Sequence, residues 1–157
     1  MIFVTVGSHY QGFERLIKKM DKIAEKIDEK VIMQIGHTEY APKNAEYFDF
    51  EDYEKIQSLN REARVVVCHG GVGSVITALE QESFVIVVPR LKRFGEVADD
   101  HQLEIAGSLA EEGKITVVHD VNDLEEALKD ACENNVKIEN ERRLIGFLEG
   151  YIRGLKA

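Results

Sequence analysis

The sequence predicts an α/β fold: a doubly wound, mostly parallel sheet with helices on both sides. Three observations carry this. Short β-branched runs alternate with stretches of helical periodicity along the chain. The central run, Val65-Val66-Val67, is apolar at consecutive positions, as a strand buried on both faces must be. Gly or Pro closes several of the runs, as at Gly7, Gly36 and Pro89.

The elements follow in order. Ile2 to Val6 is a strand, and Phe13, Leu16, Ile17, Met20, Ile23 and Ile27 mark the buried face of a helix. Val31 to Ile35 is the second strand, and Glu46 to Phe50 a weaker one. Asp52 caps a helix running to Glu62. Arg64 to Cys68 is the central strand, followed by a glycine-rich turn and a helix through Glu80. Phe84 to Val88 is a strand, Asp99 to Glu112 a helix, Ile115 to Val118 a strand and Leu124 to Cys132 a helix. Ile138 to Leu155 is a last, longer helical stretch. Alternation of this kind gives a Rossmann-like sheet, in which ligands bind beyond the carboxyl ends of the strands where strand order reverses.

Length and charge narrow the function. The 157 residues fit one domain, 1–157, with no repeat and no linker. With 20 basic and 29 acidic residues the net charge is −9, which argues against a nucleic-acid partner. The two cysteines, Cys68 and Cys132, form neither a zinc pattern nor a disulfide framework, so a reducing cytoplasm is expected. No apolar run is long enough to span a membrane, and the opening residues lack the basic start of a signal peptide.

Two segments carry chemistry. His69-Gly70-Gly71-Val72-Gly73-Ser74 joins the central strand to a helix. Glycines let a ligand approach the backbone, and the unpaired N–H groups of the helix start attract an anion, most often phosphate. Ser74 either caps the helix or donates to a phosphate oxygen, and His69 has a ring N–H to offer the same anion. The loop is neither a dinucleotide fingerprint nor a P-loop, and a tight turn with a core histidine would look the same. Asp99-Asp100-His101-Gln102 opens a later helix with more hydrogen-bonding groups than a cap requires; it reads either as a cap followed by a solvated first turn or as a set suited to reading sugar hydroxyls. Cys68 ends a buried strand and reads as inert.

In this order the segments resemble the C-terminal domain of family 28 glycosyltransferases, and in particular its stand-alone Alg13-like and PssE-like versions. The matching stretches are Val4 to His9, Gln34 to His37, Cys68 to Ser74, Ala78 to Glu80, Val87 to Arg90 and Asp100 to Gln102, covering most of the chain up to about Val118. The resemblance implies one half of a GT-B enzyme, the half that binds a UDP-sugar donor. It implies that Gly7, Ser8 and His9 lie near the diphosphate, and that Gly70, Gly71, Gly73 and Ser74 hold the phosphates, with His69 and Ser74 as the catalytic pair. Phe50 would sit near the uracil, and Asp100, His101 and Gln102 would read the transferred sugar. Many relatives place an acid three residues after the loop Ser to grip the ribose; here Thr77 stands there, with Glu80 one helical turn on, and either would serve.

The implied reaction is inverting transfer from UDP-GlcNAc, UDP-Gal or UDP-GlcA to a lipid-linked acceptor in glycan or polysaccharide synthesis. No cofactor is implied beyond the UDP-sugar donor, and no Asp-x-Asp motif calls for a metal. A general base is not assignable, so the acceptor half is expected from a membrane-anchored, Alg14-like or PssD-like partner that recruits this chain to the cytoplasmic face of the membrane. The apolar stripe Leu144, Ile145, Leu148, Tyr151, Ile152 and Leu155 either docks that partner or covers its own sheet. Two rival readings stand beside this one: a non-catalytic nucleotide-sugar-binding or enhancer subunit, and a self-sufficient homodimeric nucleotide-sugar hydrolase.

Overall fold

A computed structural model describes residues 1–99, 101–113, 115–133 and 141–156. Six strands form one sheet: β1 (Ile2–Thr5), β2 (Val31–Gln34), β3 (Glu46–Phe48), β4 (Val65–Cys68), β5 (Phe84–Val87) and β6 (Thr116–Val117). Their order is β3-β2-β1-β4-β5-β6, and all five pairings are parallel. The helices are α1 (Glu14–Lys26), α2 (Tyr53–Glu62), α3 (Val72–Glu80), α4 (His101–Glu111), α5 (Leu124–Glu133) and α6 (Glu141–Lys156).

The two-residue period of a strand divides the core. Ile2, Val4, Val65, Val67 and Ile86 face α1 and α5, packing against Leu16, Ile17, Met20, Leu124 and Leu128. Phe3, Val66, Cys68, Val85 and Val87 face the other way, onto Leu59 of α2, Val75 and Leu79 of α3, Leu109 of α4 and Leu148 of α6. Over the described residues the sequence expectation for each strand and helix is met to within about two residues; the first part of the last expected helix, residues 138–140, lies outside them. Two short 3₁₀ turns, Lys92–Phe94 and Val121–Asp123, were not anticipated.

From β1 the chain crosses through α1 to β2 on one side, and from β4 through α3 to β5 on the other. The reversal falls between β1 and β4, and a crevice opens there beyond their carboxyl ends.

On α6, Leu148 is buried in this chain's own core, whereas Ile152 and Leu155 are exposed. The side chains of Leu144 and Ile145 lie outside the described residues. No helix among the described residues is long and apolar enough to cross a membrane.

Candidate functional site

The crevice is a cleft of about 500 Å³ whose walls include Gly7, Ser8 and His9 after β1, His69, Gly71, Gly73 and Ser74 after β4, Thr77 on α3, and Tyr53, Ile56 and Asn60 on α2.

Its centre is the start of α3. The N-cap is Gly71, which has no side chain to accept from the amide N–H groups of the first turn. Those groups carry the positive end of the helix dipole. Ser74 adds a hydroxyl, held 3.3 Å from His69 Nε2. The His69 ring is buried between two glycines: a Cβ at Gly7 or at Gly71 would overlap it. Gly7 is further restricted by its φ of +71°. Any other residue at either glycine displaces the imidazole.

Two buried polar side chains fasten the loops around this centre. Gln34, at the end of β2, accepts from Thr5 Oγ1 at 2.7 Å and from the N–H groups of Val6 and Gly7 at 3.1 Å each. Its Nε2 donates to the carbonyls of Gly7 and Asp49, both at 3.0 Å. The loop after β1 is thus clipped to β2 and to the end of β3.

Arg90, just past β5, is wholly buried. Its Nη1 donates to the carbonyls of Gln11, Gly12 and Glu96, and its Nη2 to that of Val6. The guanidinium lies over the Phe13 ring, 4.9 Å from its centroid. Burial lowers its pKa, opposed by the carboxylates of Glu96 and Glu14. Arg15 closes the assembly, pairing with Glu96 at 2.9 Å and donating to the Pro89 carbonyl.

His9 has a defined proton arrangement. Its Nδ1 accepts from the Gln11 N–H at 3.2 Å, and its ring stacks on Tyr10. Burial, and then the charge of Arg90, lower its pKa, so the ring is neutral at pH 7 with its proton on Nε2. The remaining polar atom is a donor, which suits a phosphate oxygen and does not suit a general base. Cys68 is fully buried and burial pushes its thiol up to about 12, so no thiolate is available. Among the described residues no group of three or more His, Cys, Asp or Glu side chains is arranged to hold a metal ion.

The structure thus brings Gly7, Ser8, His9, His69, Gly71, Gly73, Ser74 and Thr77 to one cleft. Gly70 forms the turn into it, at φ +89°. Three expected residues stand elsewhere. Phe50 lies outside the cleft wall, with its ring edge-on to His37 at 5.0 Å. Glu80 is exposed at the far end of α3, since six residues past Ser74 advance the helix about 9 Å. His101 is exposed and leans toward Glu104 at 3.8 Å. Asp100 and the side chain of Gln102 lie outside the described residues. Between Thr77 and Glu80, the cleft takes Thr77.

The sequence reading missed Tyr53, Ile56 and Asn60. Their i, i+3, i+7 spacing on a helix capped by Asp52 was the available signal, because it puts them on one face.

Comparison with known proteins places the chain in a family. The profile of the glycosyltransferase family 28 C-terminal domain matches residues 1–146. The human UDP-N-acetylglucosamine transferase subunit ALG13 is 31% identical over 125 residues, 73% of this chain and 10% of that protein. Its mouse counterpart is 29% identical over 124 residues, 72% of this chain and 10% of that protein. The chain therefore spans about a tenth of the length of the curated relatives it matches. Among solved structures, the kitacinnamycin glycosyltransferase superimposes with a TM-score of 0.66 at 21% identity, covering 93% of this chain and 37% of that one. MurG of Acinetobacter baumannii gives 0.55 at 19%, covering 84% and 41%. These similarities show a common fold, that of one half of a GT-B glycosyltransferase. With the profile matched over nearly its whole length, the chain belongs to the glycosyltransferase family 28 C-terminal domain family.

Proposed function

We propose that this chain is the donor-binding, catalytic subunit of an inverting UDP-sugar glycosyltransferase acting on a lipid-linked acceptor. The observation that carries the reading is the uncapped, glycine-lined start of α3 with Ser74 and His69 beside it, at the strand-order reversal.

The chemistry follows from what these groups are. As the glycosidic bond breaks, negative charge grows on the leaving diphosphate. N–H dipoles and hydroxyl donors fixed in advance stabilise that charge more than they stabilise the bound donor. The α3 tip and Ser74 supply such donors, and His69 orients the Ser74 hydroxyl. His9, on the loop after β1, adds its Nε2–H as a further donor. The Asp100-His101-Gln102 stretch of the sequence, of which His101 is exposed, is proposed to read the transferred sugar. An inverting transfer also needs a base for the acceptor hydroxyl. We assign that group, and the membrane contact, to a partner subunit at the cytoplasmic face of a membrane.

The test is titration calorimetry of the lone chain against UDP, UDP-GlcNAc, UDP-Gal and UDP-GlcA, followed by a transfer assay with and without the partner. Binding by the lone chain and transfer only by the pair are expected. Absence of UDP binding would overturn the reading. Binding without transfer by the pair would leave a nucleotide-sugar-binding subunit.

A further inference from the structure

We infer that Arg90 is a positioning residue: it sets the shape of the loop after β1, residues 7–12, and ties that loop to the one after β5, so that His9 meets the ligand in one fixed arrangement. The inference rests on the reading of the cleft as a nucleoside-diphosphate site and adds what holds one of its walls in place.

The loop after β1 does not hold itself. Among the described residues, no backbone group of residues 7–12 is hydrogen-bonded to another backbone group. Gln34 grips its first residue, Gly7. Arg90 brackets the rest. Its Nη2 donates to the Val6 carbonyl at 3.0 Å, just before the loop. Its Nη1 donates to the carbonyls of Gln11 at 2.9 Å and Gly12 at 3.1 Å, where the loop ends, and to that of Glu96 at 3.2 Å, in the loop after β5. None of these four acceptors belongs to a strand or a helix. The guanidinium therefore fixes the mutual placement of two loops and bonds to no part of the sheet.

Glu96 makes the tie rigid. Its carboxylate accepts from the Leu91 N–H and from two nitrogens of Arg15, each at 2.9 Å, so α1 and the loop after β5 are pinned to one point. Burying a guanidinium is expensive, and the expense is offset only when all four carbonyls converge on it. A loop held this way has one low-energy shape. Lysine does not replace arginine here, because a single ammonium on a flexible stem cannot span the same fork of carbonyls.

His9 is where that shape reaches the cleft. Gln11, held by its carbonyl on Arg90, donates its N–H to His9 Nδ1 at 3.2 Å. That bond selects the ring tautomer and leaves Nε2–H on the cleft wall. Arg90 thus acts on the ligand through Gln11 and His9 without lining the cleft itself.

The test is a double-mutant cycle on UDP affinity, read by calorimetry, over the wild-type chain, Arg90→Lys, His9→Ala and the pair. Asp21→Asn is the control, destabilised at a buried site outside the cleft. Arg90→Lys keeps the charge and is expected to bind UDP about tenfold more weakly. In the His9→Ala background the same change should cost about threefold or less, because the residue it acts through is gone. Asp21→Asn should stay within about twofold of wild type. Amide exchange of the ligand-free chain gives a second reading: in Arg90→Lys the Gln11 amide should exchange about tenfold faster relative to that of Met20 in α1, and in Asp21→Asn the ratio should hold. Wild-type UDP affinity in Arg90→Lys, the same loss with and without His9, an equal loss in Asp21→Asn, or an unchanged exchange ratio would overturn the inference. If Arg90→Lys melts below the assay temperature, Glu96→Gln repeats the cycle; it keeps the guanidinium, removes the charge that pairs with Arg15, and should weaken UDP binding about threefold. Failure of the wild-type chain to bind UDP would overturn the reading of the cleft instead, and the exchange ratio, which needs no ligand, then decides whether Arg90 sets the loop.

Discussion

Replacing Gly71 with Ala is the sharpest single test of the geometry at the α3 tip. Gly71 has φ −65° and ψ 134°, which alanine adopts without strain, so any effect comes from the added methyl group. That methyl would overlap His69 Cε1 and lie 2.8 Å from Nε2 and 3.3 Å from Nδ1. The ring has no retreat toward Gly7, where it is already in close contact. Overpacking of this kind costs about 1–3 kcal/mol. At roughly 2–4 °C per kcal/mol for a chain of this size, Gly71→Ala should melt about 2–12 °C below wild type. Scanning calorimetry reads this directly. The double variant His69→Ala/Gly71→Ala supplies the control: with the ring gone the methyl fits, and the penalty of Gly71→Ala measured in the His69→Ala background should nearly vanish. A coupling energy near zero would refute the packing of His69 between the two glycines. UDP affinity should fall in Gly71→Ala through displacement of Ser74's partner.

Ser74→Ala should weaken UDP binding by about 1.5–3 kcal/mol, the range for a hydrogen bond to a charged group; unchanged affinity in calorimetry would remove Ser74 from the phosphate site. Arg90→Met leaves the carbonyls of Val6, Gln11, Gly12 and Glu96 without their shared donor and should cost about 3 kcal/mol or more in urea unfolding. Asp21 is buried, and although burial pushes its pKa up, hydrogen bonds from Tyr40, Asn44 and Lys43 hold it below the ordinary value. Asp21→Asn should therefore destabilise by about 1.5–3 kcal/mol at pH 7. This contribution is fully present above about pH 4 and is lost as pH falls through the lowered native value, so the gap between variant and wild type should close in acid. His9 runs in a different window: the unfolded chain takes up its proton near pH 6.5 and the native ring only at lower pH. Stability should fall as pH drops below about 6.5, and His9→Gln should flatten that slope; an unchanged slope would contradict the shielded, neutral ring.

The sheet was legible because its strands advertise themselves. Val65-Val66-Val67 admits no reading but a buried strand, and Gly7, Gly36 and Pro89 mark where strands stop. The α3 tip was legible for the same local reason: a glycine loop between a buried strand and a helix leaves only a few arrangements of N–H groups. What was hidden depends on contacts between distant residues. Nothing in Pro89-Arg90 says that the guanidinium turns inward to four carbonyls of two loops, because arginine is ordinarily a surface residue. Gln34 was nearer to being readable, since a polar residue inside the apolar run Val31 to Ile35 must find partners. Phe50 and Tyr53 sit three residues apart at a strand-to-helix corner, and which ring enters the cleft depends on how that corner folds. That Thr77 lines the cleft while Glu80 stands at the far end of α3 follows from helix rise alone.

Gly71 ends α3 without a side-chain cap, and this ties ligand occupancy to folding. Most helices bring their own serine or aspartate to finish the first turn. On the proposed reading the donor's diphosphate completes the turn instead, so the empty protein would be the less finished one. A ligand at a hundred times its dissociation constant would add about 2.7 kcal/mol to the folded state, enough for a dye-based melting screen to rank candidate donors without any assay of transfer. The same feature sets a limit for engineering. A self-capped variant at Gly71 would push against His69 and, on the proposed reading, put its own oxygen where the phosphate would bind, trading recognition for rigidity.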